Sequence, residues 1–140
     1  MKYSFALLLL LAGCGLLENS DLPDVRLEAD RIAYQPGQDL MLALMNFSGR
    51  TFTVSGDLCR ALLQRREKTT WKTIPRDGVC PDVGVVLKFG GAIVSRKQLG
   101  ETLLAGSYRY LYELNDSEGE ERVRRFERIE LYTRVFEVSK

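Results

Sequence analysis

The sequence predicts an all-β domain, and three observations lead to that prediction. Apolar and polar residues alternate with a period of two in several short segments, which is the pattern of half-buried strands. Turn-forming residues separate these segments at the spacing expected of an antiparallel β-sandwich. No stretch has the 3.6-residue apolar periodicity of an amphipathic helix. The chain has 140 residues, 45% hydrophobic and 28% charged, which suits one domain of this kind.

The first strand is predicted from Val25 to Ala29, where apolar and charged residues alternate. Ile32 and Tyr34 continue the alternation on the opposite phase, which indicates a bulge or kink near Asp30-Arg31. The segment Gln35-Pro36-Gly37-Gln38 then carries proline and glycine at the positions that a type II turn requires.

The next strand, residues 40–45, is apolar throughout, so we expect both of its faces to be covered. The stretch Ala61 to Arg66 also has helical propensity, but it is too short to form a helix alone, and we predict a strand. The remaining predictions are a short strand at 51–54, a hairpin of 59–66 with 71–74, a hairpin of 83–89 with 92–94 around Gly90-Gly91, and strands at 108–114 and 129–138.

The segment Asn115 to Arg128 is dense in glutamate and arginine, and we interpret it as a polar hairpin tip or loop. A calcium loop is disfavoured, because Glu121 occupies the sixth position of a loop that begins at Asp116, where such a loop needs glycine. We therefore expect no metal site.

Residues 1–13 have the anatomy of a secretory signal peptide. Lys2 supplies positive charge, Tyr3 to Leu11 is uncharged and rich in leucine, and small residues follow. Only 15 residues lie between Lys2 and the next charge at Glu18, fewer than the roughly 17 to 25 that a membrane-spanning helix needs.

The tetrapeptide Leu11-Ala12-Gly13-Cys14 resembles the lipobox of bacterial lipoproteins. The resemblance implies cleavage after Gly13, lipid on Cys14 and membrane attachment through two or more acyl chains, which together hold a protein stably. Gly15 after the cysteine, in place of aspartate, resembles an outer-membrane sorting signal. We expect a lipid-anchored protein of the bacterial cell envelope, at the outer membrane facing the periplasm, with residues 14–23 as a polar tether and residues 24–140 as the domain.

The remaining cysteines, Cys59 and Cys80, are two thiols in a chain expected to enter an oxidising compartment. The simplest prediction is one disulfide, which closes a loop of about 20 residues and stabilises by roughly 3 kcal/mol in the chain-entropy model. The alternative is a reactive thiol, but the chain contains no histidine to activate one.

Short motifs in a fixed order resemble the immunoglobulin-like domains of bacterial exported proteins. They are Tyr34-Gln35-Pro36-Gly37, Asn46-Phe47-Ser48, the series Cys59, Trp71 and Cys80, Gly106-Ser107-Tyr108-Arg109, and Phe136-Glu137-Val138. The resemblance covers residues 24–138 and implies an immunoglobulin-like antiparallel β-sandwich of seven or eight strands.

Within this resemblance, Leu104 to Tyr108 looks like a tyrosine corner, in which the hydroxyl bonds upstream backbone. Trp71, the only tryptophan, is predicted as a core anchor, the alternative being a ligand-stacking platform. Cys59 and Cys80 are too close in sequence for the inter-sheet bridge of antibody domains, and Tyr110 stands where the second cysteine of that bridge would lie. The disulfide should therefore close a local hairpin.

No catalytic, phosphate-binding or dinucleotide motif is present, and the absence of histidine removes the commonest general base. We therefore predict a non-enzymatic protein without a cofactor. The 20 basic and 19 acidic residues leave a net charge of +1, which gives no reason to expect nucleic acid as a partner.

One local excess of positive charge stands out around the predicted disulfide hairpin. If its residues share one face, they can contact an anionic surface such as lipid phosphates, cell-wall anions or an acidic protein. The alternative is a solvated hairpin edge whose charges prevent aggregation. The residues are Arg60, Arg65, Arg66, Lys68 and Lys72.

Three functions stay open on the sequence. The first is a membrane-anchored binding or scaffold module with an envelope protein as partner. The second is a protease inhibitor that acts through the loops 46–50, 90–91 and 115–128. The third, which we rank last, is an enzyme that uses acidic residues.

Overall fold

A computed structural model describes residues 24–81, 83–115 and 128–140. The predicted signal peptide, Cys14, the tether and residues 116–127 of the charged segment lie outside the described residues. The described part is all-β and contains no helix. Its strands are β1 (Val25–Ala29), β2 (Ala33–Tyr34), β3 (Asp39–Asn46), β4 (Phe52–Ser55), β5 (Leu62–Glu67), β6 (Thr70–Thr73), β7 (Gly84–Leu87), β8 (Ala92–Gln98), β9 (Gly106–Asn115), β10 (Arg128–Tyr132) and β11 (Phe136–Val138).

These strands form three sheets. The larger sheet has the order β2-β11-β9-β5-β6, with β10 paired to the second half of β9. A three-stranded sheet has the order β1-β3-β8, and β4 pairs with β7 in a two-stranded sheet. Every pairing is antiparallel except the short parallel one between β11 and β2. The arrangement is that of a β-sandwich, and the eleven strands of the described residues leave the expected count of seven or eight unconfirmed.

The core lies between the larger sheet and the β1-β3-β8 sheet. Alternate residues of β3, namely Leu40, Leu42 and Leu44, are fully buried. Alternate residues of β9 face them from the other sheet and are also buried, and the ring of Phe136 packs between Tyr34 and this row. The residues of this row are Tyr108, Tyr110, Tyr112 and Leu114. The opposite face of β3 is only partly covered, since Met41 is 38% exposed, so the prediction that both faces are covered is wrong there.

The predicted kink near Asp30-Arg31 is a change of sheet. β1 pairs with β3, whereas β2 pairs with β11 in the larger sheet. Ile32 lies in the segment between β1 and β2 and is 71% exposed. Of the two apolar residues that continue the alternation after the kink, Ile32 and Tyr34, only Tyr34 is buried in the core. The turn that follows closes as predicted, with a hydrogen bond of 3.2 Å from Gln38 N to Gln35 O and a φ of 81° at Gly37.

The two predicted hairpins have different outcomes. β5 and β6 form a hairpin, with Arg65 opposite Lys72 and Arg66 opposite Trp71. The hairpin predicted around Gly90-Gly91 is wrong, because β7 pairs with β4 and β8 pairs with β3. A turn sequence determines that the chain reverses, whereas long-range pairing selects the partner of each strand.

We call the two ends of the sandwich the tether end and the distal end. At the tether end, Phe47 N donates to Asp24 O at 2.6 Å, so the tether predicted at 14–23 joins the domain beside the loop 46–50. The turn 88–91 lies there too, because Gly90 N donates to Asn46 O at 2.8 Å. The distal end is formed by the start of β9 and the turn Lys68–Thr69, since Arg65 pairs with Tyr108 and the hairpin continues beyond it.

Asn46 and the start of β9 lie at opposite ends because of the connection from β2 to β3. β2 pairs with β11, and Val138 of β11 pairs with Gly106 at the start of β9. β2 therefore lies at the same end of the larger sheet as Gly106. The turn after Tyr34 leads directly into Asp39, and the eight residues of β3 then run away from that end.

Candidate binding surfaces

The disulfide predicted between Cys59 and Cys80 is present, with the two Cα atoms 5.6 Å apart. Cys59 precedes β5 and Cys80 follows β6, so the bridge closes the segment that contains the β5–β6 hairpin. The positions agree with the expectation of a local hairpin bridge. The disulfide also joins the two ends of a segment whose outer strand, β6, pairs only with β5 among the strands that the structure describes.

The five basic residues of the hairpin region do not share one face. Arg65 and Lys72 are directly opposite each other, and because Arg65 is also opposite Tyr108, both side chains lie on the core side of the sheet. Arg66 points to the outer side. Lys68 occupies the turn with a φ of 56°, and Arg60 lines a separate cleft before β5. Strand alternation was sufficient to predict the separation of Arg65 from Arg66, because adjacent residues of a strand point to opposite faces.

The strand β6 is an edge of the larger sheet in the described part of the chain. Ile74 N donates to Leu63 O at 2.8 Å, so this pair is hydrogen bonded across the hairpin. Hydrogen-bonded and non-bonded pairs alternate along an antiparallel ladder. The pair Arg65 and Lys72 is therefore bonded, and the backbone N–H and C=O groups of Trp71 and Thr73 point away from β5 toward the open edge.

A concave surface adjoins this edge on the core side, and we call it the edge groove. It consists of two joined cavities of about 310 Å³ and about 490 Å³, which share Ile74, Pro75, Thr102 and Leu103 as walls. Arg65 and Lys72 line the smaller cavity, and Lys97 lines the larger one. Glu67 also lines the smaller cavity, and Arg76, Asp57 and Asp77 also line the larger one, so basic residues outnumber acidic ones only in the smaller cavity. The edge groove thus combines an apolar wall with a local excess of positive charge beside β6, which suits an extended ligand with an acidic residue at that position.

Each of two cations in the edge groove is held by a backbone carbonyl. Arg65 Nη2 donates to Ala105 O at 3.3 Å, and its buried Nε has no hydrogen-bond partner among the described residues. Lys97 Nζ donates to Asp57 O at 2.7 Å, and partial burial lowers the pKa of its ammonium group. Lys72 is the most exposed of the three and approaches Glu67 at 3.9 Å. Exposed ion pairs of this kind contribute little, so Lys72 can exchange Glu67 for another carboxylate at low cost.

The outer face of the same sheet carries a stack that the sequence did not reveal. The guanidinium carbon of Arg109 lies 4.3 Å from the ring centroid of Trp71 and 3.9 Å from that of Tyr132. Arg109 Nε also donates to Gln64 Oε1 at 2.9 Å. Trp71 is half-buried in this stack, so its prediction as a core anchor is wrong. Its position follows from pairing with Arg66, which directs the indole away from the core.

The predicted tyrosine corner is confirmed. The hydroxyl of Tyr108 donates to Leu104 O at 2.6 Å, and the residue is fully buried. Burial raises the pKa of this hydroxyl, although the nearby Arg65 opposes the change. Tyr110 also faces the core, and burial raises its pKa to about 12.

Two of the loops predicted from the sequence as possible protease-binding loops, 46–50 and 90–91, lie side by side at the tether end. Asn46 is fully buried and donates through Nδ2 to Arg50 O at 2.8 Å and to Leu87 O at 3.1 Å. Its backbone bonds Gly90 and Gly91 of the neighbouring turn. Phe47 and Phe89, by contrast, are 47% and 71% exposed. The loops are thus rigidly joined and present aromatic rings to the outside.

Residues 24–81, 83–115 and 128–140 contain no group of three or more cysteine or acidic residues placed to hold a metal ion. Over the same ranges there is no helix of the length and apolarity that crossing a bilayer requires. Comparison of the sequence with known protein families, and with curated proteins, finds no match.

Proposed function

We propose that this chain is a non-enzymatic lipoprotein of the bacterial cell envelope, anchored through Cys14, whose immunoglobulin-like β-sandwich binds an envelope protein. The lipobox and signal anatomy of residues 1–14 support the anchor. The tyrosine corner at Tyr108 and the change of sheet between β1 and β2 support the immunoglobulin-like type. The outer membrane, facing the periplasm, is the proposed location.

The observation that supports binding most strongly is the open edge of β6 beside the edge groove. Outward backbone groups at Trp71 and Thr73 offer an extended segment of a partner two positions for added-strand hydrogen bonds. In an added strand, the residue opposite Lys72 points its side chain toward Lys72 and Arg65, so an acidic residue suits that position. Residues on either side of it point to the outer face, where Trp71 lies. We therefore propose an extended, acidic segment as the ligand.

The experiment for binding combines a site-specific crosslink with an edge variant. A photo-reactive amino acid at Thr70 should capture the partner in cells. The variant Thr73→Pro should strongly reduce the yield of crosslinked partner. Proline removes the outward N–H of residue 73 without removing a hydrogen bond to β5. The control Thr73→Val keeps that N–H and removes the same hydroxyl, so it should retain capture. A photo-reactive group at the exposed Val135 should capture little.

Equal yields from Thr73→Pro and Thr73→Val, with matching unfolding curves, would show that the edge is not the binding site. The anchor is tested separately. Fatty-acid labelling should disappear in Cys14→Ser and persist in Cys59→Ser. Labelling that survives in Cys14→Ser would remove the lipid proposal but leave the binding proposal standing.

A second candidate function, a protease inhibitor, is favoured by the joined loops of the tether end. Phe47 and Phe89 are exposed on loops that hydrogen bonds of Asn46 join, and exposed rings on joined loops suit insertion into an active-site cleft. Purified protein should then inhibit a serine or cysteine protease at stoichiometric concentration. Phe89→Ala should weaken that inhibition, whereas Val94→Ala, at an exposed position of β8, should not. Absence of inhibition across both protease classes would exclude this function.

A further inference from the structure

The tether end carries an unusual combination of exposed aromatic rings and positive charge. Phe47 and Phe89 are exposed on adjacent loops, and the guanidinium of Arg26 lies 4.9 Å from the centroid of the Phe47 ring. Lys88, next to Phe89, is exposed, and Arg50 follows Phe47 in the neighbouring loop. The acidic residues of this end include Asp24, where the chain enters the domain, and Glu113 near the end of β9, which pairs with Arg128 at 3.0 Å. Aromatic rings flanked by cations are characteristic of surfaces that sit at the boundary of anionic membranes.

The position of the chain entry brings this surface close to the bilayer. If Cys14 is lipidated, Asp24 follows it by only ten positions, and a fully extended chain of ten residue steps reaches about 35 Å. A flexible chain is shorter on average, about 18 Å by the usual scaling. The hydrogen bond from Phe47 to Asp24 holds the loop 46–50 directly beside the entry point. The distal end lies a further ten-residue strand away, about 33 Å.

The basic hairpin is therefore poorly placed for the same membrane. Its turn, Lys68–Thr69, lies at the distal end, and strand alternation divides its cations between two faces. Phe47 and Phe89, in contrast, share one end with the tether. Phe89 is 71% exposed, and Phe47 is 47% exposed although the Arg26 guanidinium lies over its ring, so both rings present apolar surface at this end.

We infer that the tether end is a second membrane contact: Phe47 and Phe89 insert at the headgroup boundary of an anionic bilayer, and Arg26, Arg50 and Lys88 contact lipid phosphates. This inference rests on the lipid anchor of the proposed function and adds an orientation to it. The tether end of the domain then faces the bilayer, so the edge groove and β6 lie away from the membrane and face the periplasm. A partner can then reach them without displacing lipid.

The single tryptophan makes a direct test available. The mature lipidated protein is reconstituted in vesicles of phosphatidylethanolamine and phosphatidylglycerol that carry bromine atoms on their acyl chains, which quench indole fluorescence on contact. In the variant that combines Phe89→Trp with Trp71→Phe, emission should be quenched relative to vesicles without bromine. In the unsubstituted chain, whose Trp71 lies toward the distal end, bromine should leave emission unchanged.

The charge contribution is tested in the same vesicles. Lys88→Glu added to the Phe89→Trp, Trp71→Phe background should reduce quenching, and replacing phosphatidylglycerol by phosphatidylcholine should do the same. Lys68→Glu, at the distal turn, is the matched control and should have no effect. Flotation of every variant with the vesicles is measured in parallel. Flotation reports the lipid anchor, whereas quenching reports contact of the tether end with the bilayer.

Three results would overturn the inference. Variants that float with vesicles but show no quenching of the Phe89→Trp indole would mean that the anchor is real and the contact is not. Protein that does not float at all would remove the anchor and the contact with it. Protease inhibition that depends on Phe89, together with absent quenching, would assign the surface to a protease.

Discussion

The guanidinium of Arg109 lies over the indole of Trp71, with 4.3 Å between the guanidinium carbon and the ring centroid. The two residues are on different strands, β9 and β6, and β5 lies between them in the sheet. Arg109 therefore reaches across Gln64, whose Oε1 accepts its Nε–H. The contact fixes the edge strand β6 to the centre of the sheet on the side away from the core.

Arg109→Met should lower stability by about 0.5 to 2 kcal/mol, because the cation–π contacts with Trp71 and Tyr132 are lost while much of the packing is kept. Emission from Trp71 should change, since its immediate neighbour changes. The measurement is urea unfolding followed by tryptophan fluorescence. Arg66→Met, at the position opposite Trp71, is the control and should have a smaller effect. Equal effects of the two variants would contradict the stacking argument.

Tyr108→Phe should lower the free energy of unfolding by about 0.5 to 1.5 kcal/mol, because it removes the hydroxyl that donates to Leu104 O at the partly buried corner. The ring stays in place, so the structure should be retained. Tyr132→Phe removes a hydroxyl from a side chain that is 40% exposed and should cost less than about 0.5 kcal/mol. A Tyr108→Phe variant as stable as the parent would mean that the corner bond contributes nothing.

Cys59→Ala should lower stability by roughly 3 kcal/mol in the chain-entropy model, since the bridge to Cys80 closes a segment with a sequence separation of 21. The thermal midpoint should fall, and Cys80 should become reactive toward thiol reagents. Reductant should destabilise the parent protein and leave Cys59→Ala unaffected. Identical unfolding of the parent with and without reductant would contradict this prediction.

Asp30 should make stability depend on pH in the acid range. Burial raises the pKa of its carboxyl. The hydrogen bonds from Met41 N–H and the Tyr34 hydroxyl, both 2.8 Å, and the charge of Arg31 lower that pKa. Together they outweigh the effect of burial, so the pKa of Asp30 is lowered from 3.8. A lowered pKa means that the stabilising contribution is present above pH 3.8 and is lost as pH falls through the folded value. Asp30→Asn should be less stable at neutral pH and should lose less on acidification. Parallel curves of unfolding free energy against pH would refute the assignment.

Tyr110 should have the opposite dependence at alkaline pH. Burial raises the pKa of its hydroxyl from 10.0 to about 12, so the folded state holds this proton more tightly than the unfolded state. The associated stability is present below pH 10 and is lost as the pH rises toward 12. Tyr110→Phe should therefore resist alkaline unfolding better than the parent, as measured by circular dichroism. A variant that unfolds at the same pH would contradict this.

Features with a local cause were predictable from the sequence. The turn 35–38, the β5–β6 hairpin, the corner at Tyr108 and the disulfide depend on residues close in sequence or on the parity of cysteines. Each was confirmed. The fold class belongs with them, because period-two alternation is a property of single strands.

Features that depend on which strands pair were not predictable. The sequence around Gly90-Gly91 specifies a reversal, but pairing with β3 and β4 places β8 and β7 in different sheets. Trp71 is a large apolar residue and burial was the natural expectation, yet its register opposite Arg66 directs it outward. The edge groove has the same origin, since its walls come from β5, the 74–77 segment and the 97–104 region.

By itself, the sequence determined the β class, the cysteine pair and the local turns, and it predicted export and lipid attachment from residues 1–14. Only the tertiary structure decided that the chain entry shares one end with Phe47 and Phe89, and that the basic hairpin lies at the other. The physical reason is that alternation and turn chemistry act within a few residues. The end of the sandwich on which a loop lies depends on hydrogen bonds between strands that are far apart in the chain.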